Sequence, residues 1–288
     1  MSFNYFIRQD SLFPFCWHHH NEYELTAVYE GKGSRFVGDS IGSYDGSDLV
    51  LIGPNLPHTW QSKEADMPNA NKASVIQFDR HFLGEAVWNN PEFQIIKMLL
   101  NKSNTGICFH GEARNEIIGK MIAMNGQQNF YKLMSLLDIL EKLGHWENTE
   151  ILSLKVFEKN IDLEQAGRID KVLQYLSQNY SQEISLVEAA EIVHMSVSSF
   201  SRFFKRLTGK NFVNYLNELR VSSACTLLIE TDMNISEICF RSGFQSVANF
   251  NRRFRQIKKV SPKEFRGHFF KTDSEFHQPI LLLHPDFR

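Results

Sequence analysis

The chain has 288 residues, 42% of them hydrophobic, a formal net charge of −2 and four cysteines; that length allows about two domains, with ample apolar material for packed cores. Cys16, Cys108, Cys225 and Cys239 are scattered and form no C-x-x-C pair, which argues against a disulfide framework and for a reducing cytoplasm, with Cys225 and Cys239 at apolar helical positions as buried free thiols. No apolar run approaches the roughly 18 residues of a membrane span, and the N-terminus lacks a basic stretch followed by an apolar one, so a soluble, unsecreted protein without membrane contact is expected.

From about Phe3 to Phe82 the pattern is that of β structure. Short apolar runs such as Tyr23–Tyr29 and Asp48–Ile52 are separated by Gly31-Lys32-Gly33, Gly42-Ser43, Asp45-Gly46 and Gly53-Pro54, the spacing of a sandwich or small barrel. Within this stretch, His18-x-His20-x3-Glu24-x6-Gly31 has the spacing of the first cupin motif, and Gly53-Pro54-x2-Pro57-His58 is similar to part of the second. Alternate residues of a barrel strand point inward, so His18 and His20 share a face on which Glu24 and His58 can converge. Three imidazoles and a carboxylate suit Zn, Fe, Mn or Ni; the alternative is a polar pocket that receives a small-molecule effector, with no cofactor required. Trp60 shares the face of His58 and offers an aromatic platform for a sugar ring, whereas Trp17 has the opposite parity and His19 is expected to point outward.

From Pro91 the period becomes helical. Phe93, Ile96, Met98–Leu100, Ile117-Ile118, Met121-Ile122, Leu133, Leu136-Leu137, Leu140 and Leu143 recur at helical spacing, and the last group forms a stripe that either packs on the β region or pairs with a second subunit as a homodimer. Residues 148–167 read as a linker. Arg168–Tyr180 is an amphipathic helix with Ile169, Val172, Leu173 and Leu176 on one side. From Arg168 to Arg266 the chain carries 15 Lys+Arg against 9 Asp+Glu, while the remainder carries 16 against 24. A basic C-terminal third on an acidic body fits a nucleic-acid-binding domain joined to something that need not touch phosphate.

The strongest signal is a repeat. Ser196-Val197-Ser198-Ser199-Phe200-Ser201-Arg202-Phe203-Phe204-Lys205 recurs fifty residues on, without a gap, as Ser246-Val247-Ala248-Asn249-Phe250-Asn251-Arg252-Arg253-Phe254-Arg255. Each copy is a short apolar helix (Leu186–His194 in the first), a Ser-opened turn and a helix with a Phe stripe and basic residues, the pattern of a helix-turn-helix whose second helix enters the major groove. Phe200, Phe204, Leu207, Phe250 and Phe254 are expected in the cores. The helix Asn211–Glu230 between the copies spans roughly 30 Å at 1.5 Å per residue, near the ~34 Å repeat of B-DNA, so one chain is expected to touch two successive grooves of double-stranded DNA.

Over about one hundred residues this region resembles the AraC/XylS family of bacterial transcription regulators, through Ala189, Ser196, Phe200, Arg202, Phe204-Lys205, Gly209, Tyr215, Arg220, Ala224, Leu227, Ile235, Glu237-Ile238, Ser242-Gly243-Phe244, Ser246, Phe250, Arg252, Phe254, Ser261-Pro262 and Phe265-Arg266. Cys239 replaces the family's usual Ala, and Lys259 stands where the second motif has Gly, which implies a strained left-handed turn. The resemblance implies an α+β chain: a cupin-like β-barrel sensing domain at 1–85, a helical connector and dimerisation region at 86–165, an all-α double helix-turn-helix domain at 166–270 and an unassigned tail at 271–288. It implies base-edge contacts by Ser198, Ser201 and Arg202 in the first recognition helix and by Val247, Ala248, Asn251 and Arg252 in the second. Arg suits guanine, Asn adenine, and Val or Ala a thymine methyl. Lys205, Arg206, Arg253 and Arg255 are phosphate contacts on this reading, positioning the protein without specifying sequence. The function implied is an effector-responsive regulator, an activator of carbohydrate-use genes that works with RNA polymerase, and not an enzyme. Two rivals are a metal-dependent cupin enzyme fused to a DNA-binding domain and a constitutive architectural DNA binder.

Overall fold

A computed structural model describes residues 2–62, 69–153 and 163–267; the expected tail at 271–288 lies outside them. The chain divides into two compact units, Met1–Asn179 with Ile184–Tyr215, and Tyr180–Glu183 with the residues from Leu216 onward. Among the described residues no helix is long and apolar enough to cross a membrane.

The first unit begins with seven strands: β1 (Phe3–Asp10), β2 (Tyr23–Glu30), β3 (Lys32–Val37), β4 (Ser40–Asp45), β5 (Asp48–Ile52), β6 (His58–Ser62) and β7 (Asn71–Phe78). Two further strands of three residues each follow, β8 (Ile107–Phe109) and β9 (Thr149–Ile151). They form an antiparallel sheet in the order β1-β7-β2-β5-β8-β9, faced by a second sheet β4-β3-β6. The period-2 pleat of β2 decides what goes where. Tyr23, Leu25 and Ala27 join one apolar core with Leu49 and Leu51 of β5, while Val28 packs on the opposite face with Phe13, Tyr44 and Ala73. Val50 and Ile52 meet Val37 of the facing sheet and Trp60 in a third cluster, so the space between the sheets is itself packed. The ladders do not close into one continuous barrel among the described residues.

Three helices cover the outer face of the large sheet: α1 (Gln94–Lys102), α2 (Arg114–Ala123) and α3 (Asn129–Gly144). Leu136, Ile139, Leu140 and Leu143 of α3 are buried in the same core as Leu25 and Leu51, and Leu133 packs against it. The leucine stripe is therefore spent on the sheet, and the alternative use of those leucines as a subunit interface is corrected. What α3 leaves exposed is Phe130, Tyr131 and Met134. The expected linker at 148–167 is corrected at both ends. Its start is β9, which pairs with β8 through Cys108↔Glu150, and its end lies in α4 (Leu163–Asn179); residues 154–162 lie outside the described set.

The helices of the first motif, α5 (Leu186–Ile192) and α6 (Val197–Thr208), belong to this unit. Ser185 and Glu188 form a reciprocal capping box at the start of α5. Ser196 accepts from the Ser199 N–H at the start of α6, and Gly209 ends the helix in the left-handed region at φ 75°. Phe200, Phe203, Phe204 and Leu207 are buried along one face of α6. The rings of Phe200 and Phe204 lie 6.1 and 5.8 Å from that of Phe212, and Tyr215 stands 5.4 Å from Phe204.

The next helix, α7 (Phe212–Glu230), starts in the first unit and continues in the second. The second unit adds α8 (Ile235–Arg241) and α9 (Val247–Lys258) around Val221, Ala224, Cys225, Leu228, Ile238, Cys239, Phe244, Phe250 and Phe254. Both thiols are buried and free, as expected. Gly243 is forced: its φ is +86°, and a Cβ there would lie 2.5 Å from the Tyr180 carbonyl oxygen. Arg220 donates to the carbonyls of Tyr180 and Gln182, both at 2.8 Å, which ties the 180–183 segment to this unit.

Candidate functional site

Two recognition faces and one polar cluster carry the chemistry. On α6 the buried Phe stripe fixes rotation about the helix axis, and the opposite side presents Ser198, Arg202, Lys205 and Arg206 as exposed residues with Ser201 half-buried. Ser198 bonds locally with the Ser196 hydroxyl at 3.3 Å, and Arg206 donates to Gln165 Oε1 at 2.9 Å. An open concavity of about 350 Å³ beside α6 is lined by Arg168, Ser199, Arg202, Phe203 and Arg206. On α9, Ala248, Asn251, Arg252 and Arg255 are exposed, whereas Val247 packs against the Phe core and Arg253 is half-buried. Arg252 reaches back to Asn249 Oδ1 at 3.0 Å and Arg253 to Gln256 Oε1 at 3.1 Å. A second concavity, of about 770 Å³, is lined by Asn251, Arg252, Arg255, Gln256 and Lys263. Each helix thus offers a cationic, groove-sized surface held in register by a buried aromatic core.

The polar cluster lies at one end of the space between the sheets. His18 and His58 are brought together by an isolated antiparallel bridge, and their rings stand 4.4 Å apart; the ring of His20 is 5.1 Å from that of His58. Candidate ligand atoms of His18, His20, Glu24 and His58 all lie within 4.8 Å of one another. The four sequence-predicted residues do converge. Each imidazole is oriented by its Nδ1, which meets a backbone carbonyl: Cys16 at 2.9 Å for His18, Glu22 at 3.1 Å for His20 and Leu56 at 2.8 Å for His58. At His18, whose charged form is disfavoured, that leaves Nε2 with the lone pair, whereas His20 donates from both ring nitrogens, to a carbonyl and to the Glu24 carboxylate. His20 Nε2 meets Glu24 Oε2 at 3.0 Å, and His58 Nε2 lies 3.6 Å from Glu24 Oε1, buried and without a hydrogen-bond partner.

Glu24 is 5% exposed, and sequence reasoning missed the two groups that hold it. Gln77 donates to Oε2 at 2.9 Å and the Thr26 hydroxyl to Oε1 at 2.6 Å. Gln77 pairs directly with Glu24 across β7 and β2, a register that no local pattern reveals. Burial alone would raise the Glu24 pKa; His58, His20 and Thr26 more than offset it and hold the carboxyl well below the usual range. The protein mass around the His18 ring and the field of His58 push its pKa down. Burial also opposes the charged form of His20, but Glu24 and Glu22 outweigh it and the His20 pKa is raised. Trp60 stands edge-on to His58 at 6.1 Å, as its parity predicted, and its Nε1–H donates to Asp48 Oδ2 at 2.8 Å. Trp17 corrects the parity argument: it is buried, stacked with Phe15 at 6.5 Å, and its backbone N–H donates to Asp170. His19 is half-buried and stands outside the four-residue group.

A helix-turn-helix domain family matches residues 189–268. An uncharacterised HTH-type transcriptional regulator of Staphylococcus aureus (strain MRSA252) is 30% identical over 93% of this chain and 34% of its own length. The HTH-type transcriptional activator RhaR of Mannheimia succiniciproducens is 23% identical over 90% of this chain and 89% of its own. The DNA-binding domain of AdpA, solved with a target DNA, is 25% identical over 38% of this chain and 97% of that one, with a TM-score of 0.36. The chain spans 15% to 34% of the length of the first three Staphylococcus aureus relatives it matches.

Proposed function

We propose that this chain is an effector-responsive, sequence-specific transcription regulator of the AraC type that binds double-stranded DNA through α6 and α9, a reading supported by the helix-turn-helix domain match over residues 189–268. The observation that carries this reading is the pair of recognition helices, each with a Phe face in its core and an Arg face exposed. Arg202 and Arg252 sit at equivalent positions of the two and are the principal base readers; Ser198, Ser201, Ala248 and Asn251 supply adjacent contacts, and Val247 contributes what its half-buried side chain leaves exposed. Lys205, Arg206, Arg253 and Arg255 neutralise phosphates. An activator role is supported by the relative named as an activator, and a homodimer by the exposed Phe130, Tyr131 and Met134.

The sensing site is the cluster of His18, His20, Glu24 and His58, with Trp60 as the stacking surface for a small effector, a sugar being the class that an aromatic platform suits. The cluster also fits a divalent transition-metal ion. The Nε2 atoms of His20 and His58 face one carboxylate, a ligand atom of His18 lies within 4.8 Å of them, each ring is oriented by a carbonyl as metal-bound histidines are, and the His58 Nε2 is buried and unpartnered. Bound there, the ion would supply a Lewis-acidic point for an oxygen-rich effector; the chain's own residues orient the donors. The reading is tested by selecting bound sequences from a random DNA pool, then measuring affinity for the selected site with and without candidate sugars, before and after chelation. Selection of a defined sequence whose affinity shifts with one sugar is the expected result. Unselective binding that no sugar moves favours the architectural reading, and chelator-sensitive turnover of a small substrate favours the enzyme.

A further inference from the structure

A second group of donors lies apart from the histidine cluster. Cys108 on β8 and Glu150 on β9 are directly paired across the ladder, so they share a face, and His110 shares it by the period of two. One ligand atom of each lies within 4.8 Å of the others. His110 Nε2 meets Glu150 Oε2 at 3.2 Å, with the two side chains 40% and 56% exposed, whereas Cys108 is 1% exposed. The group therefore has a buried sulfur end and an end open to water. Arg35 donates to the sulfur from Nη1 at 3.1 Å and to Asp48 Oδ1 at 2.5 Å, and the thiol approaches the same Asp48 oxygen at 3.8 Å.

We propose that Cys108, His110 and Glu150 form a zinc site at the edge of the large sheet, with a fourth coordination position open to water. The donor set is thiolate, imidazole and carboxylate, and a thiolate among borderline donors selects zinc over the hard cations that oxygen alone would take. The charge balance agrees. Arg35 and Asp48 cancel, so a thiolate and a carboxylate leave two negative charges, and one dication neutralises them. Binding is a ligand exchange with no redox step: Cys108 gives up its thiol proton and His110 the ring proton it shares with Glu150, both to solvent, and the sulfur, the freed imidazole nitrogen and the Glu150 oxygen replace three waters on zinc. Zinc there pins β9, which among the described residues pairs with the sheet through β8 alone.

The inference is independent of the histidine cluster, and its test keeps the two apart. The whole chain, stripped of metal, is titrated with cobalt and then zinc. Cobalt is expected to produce a thiolate-to-metal charge-transfer band that zinc removes, because the histidine cluster contains no sulfur. The band is expected to disappear in Cys108→Ser and to persist in His58→Ala and in Cys16→Ser, the latter because Cys16 is the exposed thiol beside the histidines. Should Cys108→Ser fail to fold, His110→Gln and Glu150→Gln alter the open end instead, and each is expected to weaken zinc affinity at least tenfold. Zinc is also expected to slow amide exchange at Glu150 and Ile151 in the wild type alone. No charge-transfer band in the wild type, or a band that follows Cys16, overturns the site; so does unchanged zinc affinity in both open-end variants.

Discussion

The guanidinium of Arg202 rises from the exposed side of α6 while its neighbour Phe203 is buried on the other, so truncating it is expected to remove the proposed DNA contact without opening the core. Arg252 stands in the same relation to Phe250 and Phe254 of α9. Arg202→Ala and Arg252→Ala are each expected to cost ~1–3 kcal/mol of specific binding with the fold intact. Lys205→Ala weakens binding to all sequences alike and lowers the salt slope by about one. Equal losses on specific and random duplexes for Arg202→Ala would reassign it to phosphate. Glu24 yields a prediction of a different kind. A carboxyl whose folded pKa is depressed contributes stability that is present above its unfolded value of about 4.3 and lost as pH falls through the folded one. The metal-free wild type should therefore lose thermal midpoint more steeply than Glu24→Gln between about pH 5 and pH 3; parallel acid limbs would show that the carboxylate is not held by its neighbours. The histidines were legible in the sequence because two of them alternate on one short segment. Gln77, Thr26 and the zinc donors were not, since each is brought into place by strand register across separated parts of the chain, or bears a role only its neighbours confer. Trp17 misled because parity argues only within a regular strand, and residues 11–17 form none.

Among the elements, the helices were readable because each carries enough turns for its period to show. Leu136, Leu140 and Leu143 announce α3, and they lie buried on the sheet. Leu140→Ala is accordingly expected to destabilise the first unit by about 2–5 kcal/mol, and a loss below 1 kcal/mol in chemical denaturation would mean that the covering helices contribute little. β8 and β9 were not readable, because three residues are too few for an alternation to register and their pairing with β5 exists only in the folded sheet. That is why a region expected to be helix and linker also supplies the sheet edge. The end of α9 was readable from one residue. Lys259 adopts φ 63°, where Gly209 serves at the end of α6 with φ 75°. A non-glycine residue there costs about 1–2 kcal/mol, and glycine returns roughly 0.5–1 kcal/mol of that through the entropy of the unfolded chain. Lys259→Gly is expected to stabilise the second unit by somewhat under 1 kcal/mol, read as a shift in denaturation midpoint at unchanged slope; a destabilised variant would show that the Lys259 ammonium bond to the Gln256 carbonyl outweighs the strain.

At the scale of the whole molecule, the two recognition helices belong to different compact units, α6 to the first and α9 to the second, with α7 as the covalent link. Such a chain is expected to bind DNA as a tethered pair. Once one helix is seated, the other searches at the effective concentration set by the link, and the joint affinity exceeds either alone. Successive major grooves on one side of B-DNA recur every 10 to 10.5 bp, so footprinting of a saturated site is expected to protect two major-groove segments per chain, about 10 bp apart. Arg252→Ala combined with Arg255→Ala should then remove protection from one segment and leave the other, while raising Kd by far more than a single weakened contact would. Val247 gives the experiment its edge. With that side chain half-buried against the Phe250 and Phe254 core, the proposed reading of the second groove rests mainly on Arg252, Asn251 and Ala248, so α9 is expected to tolerate more base changes than the segment under α6. A footprint confined to a single half-turn in the wild type, insensitive to Arg252→Ala, would show that α9 serves the fold and not the reading of DNA.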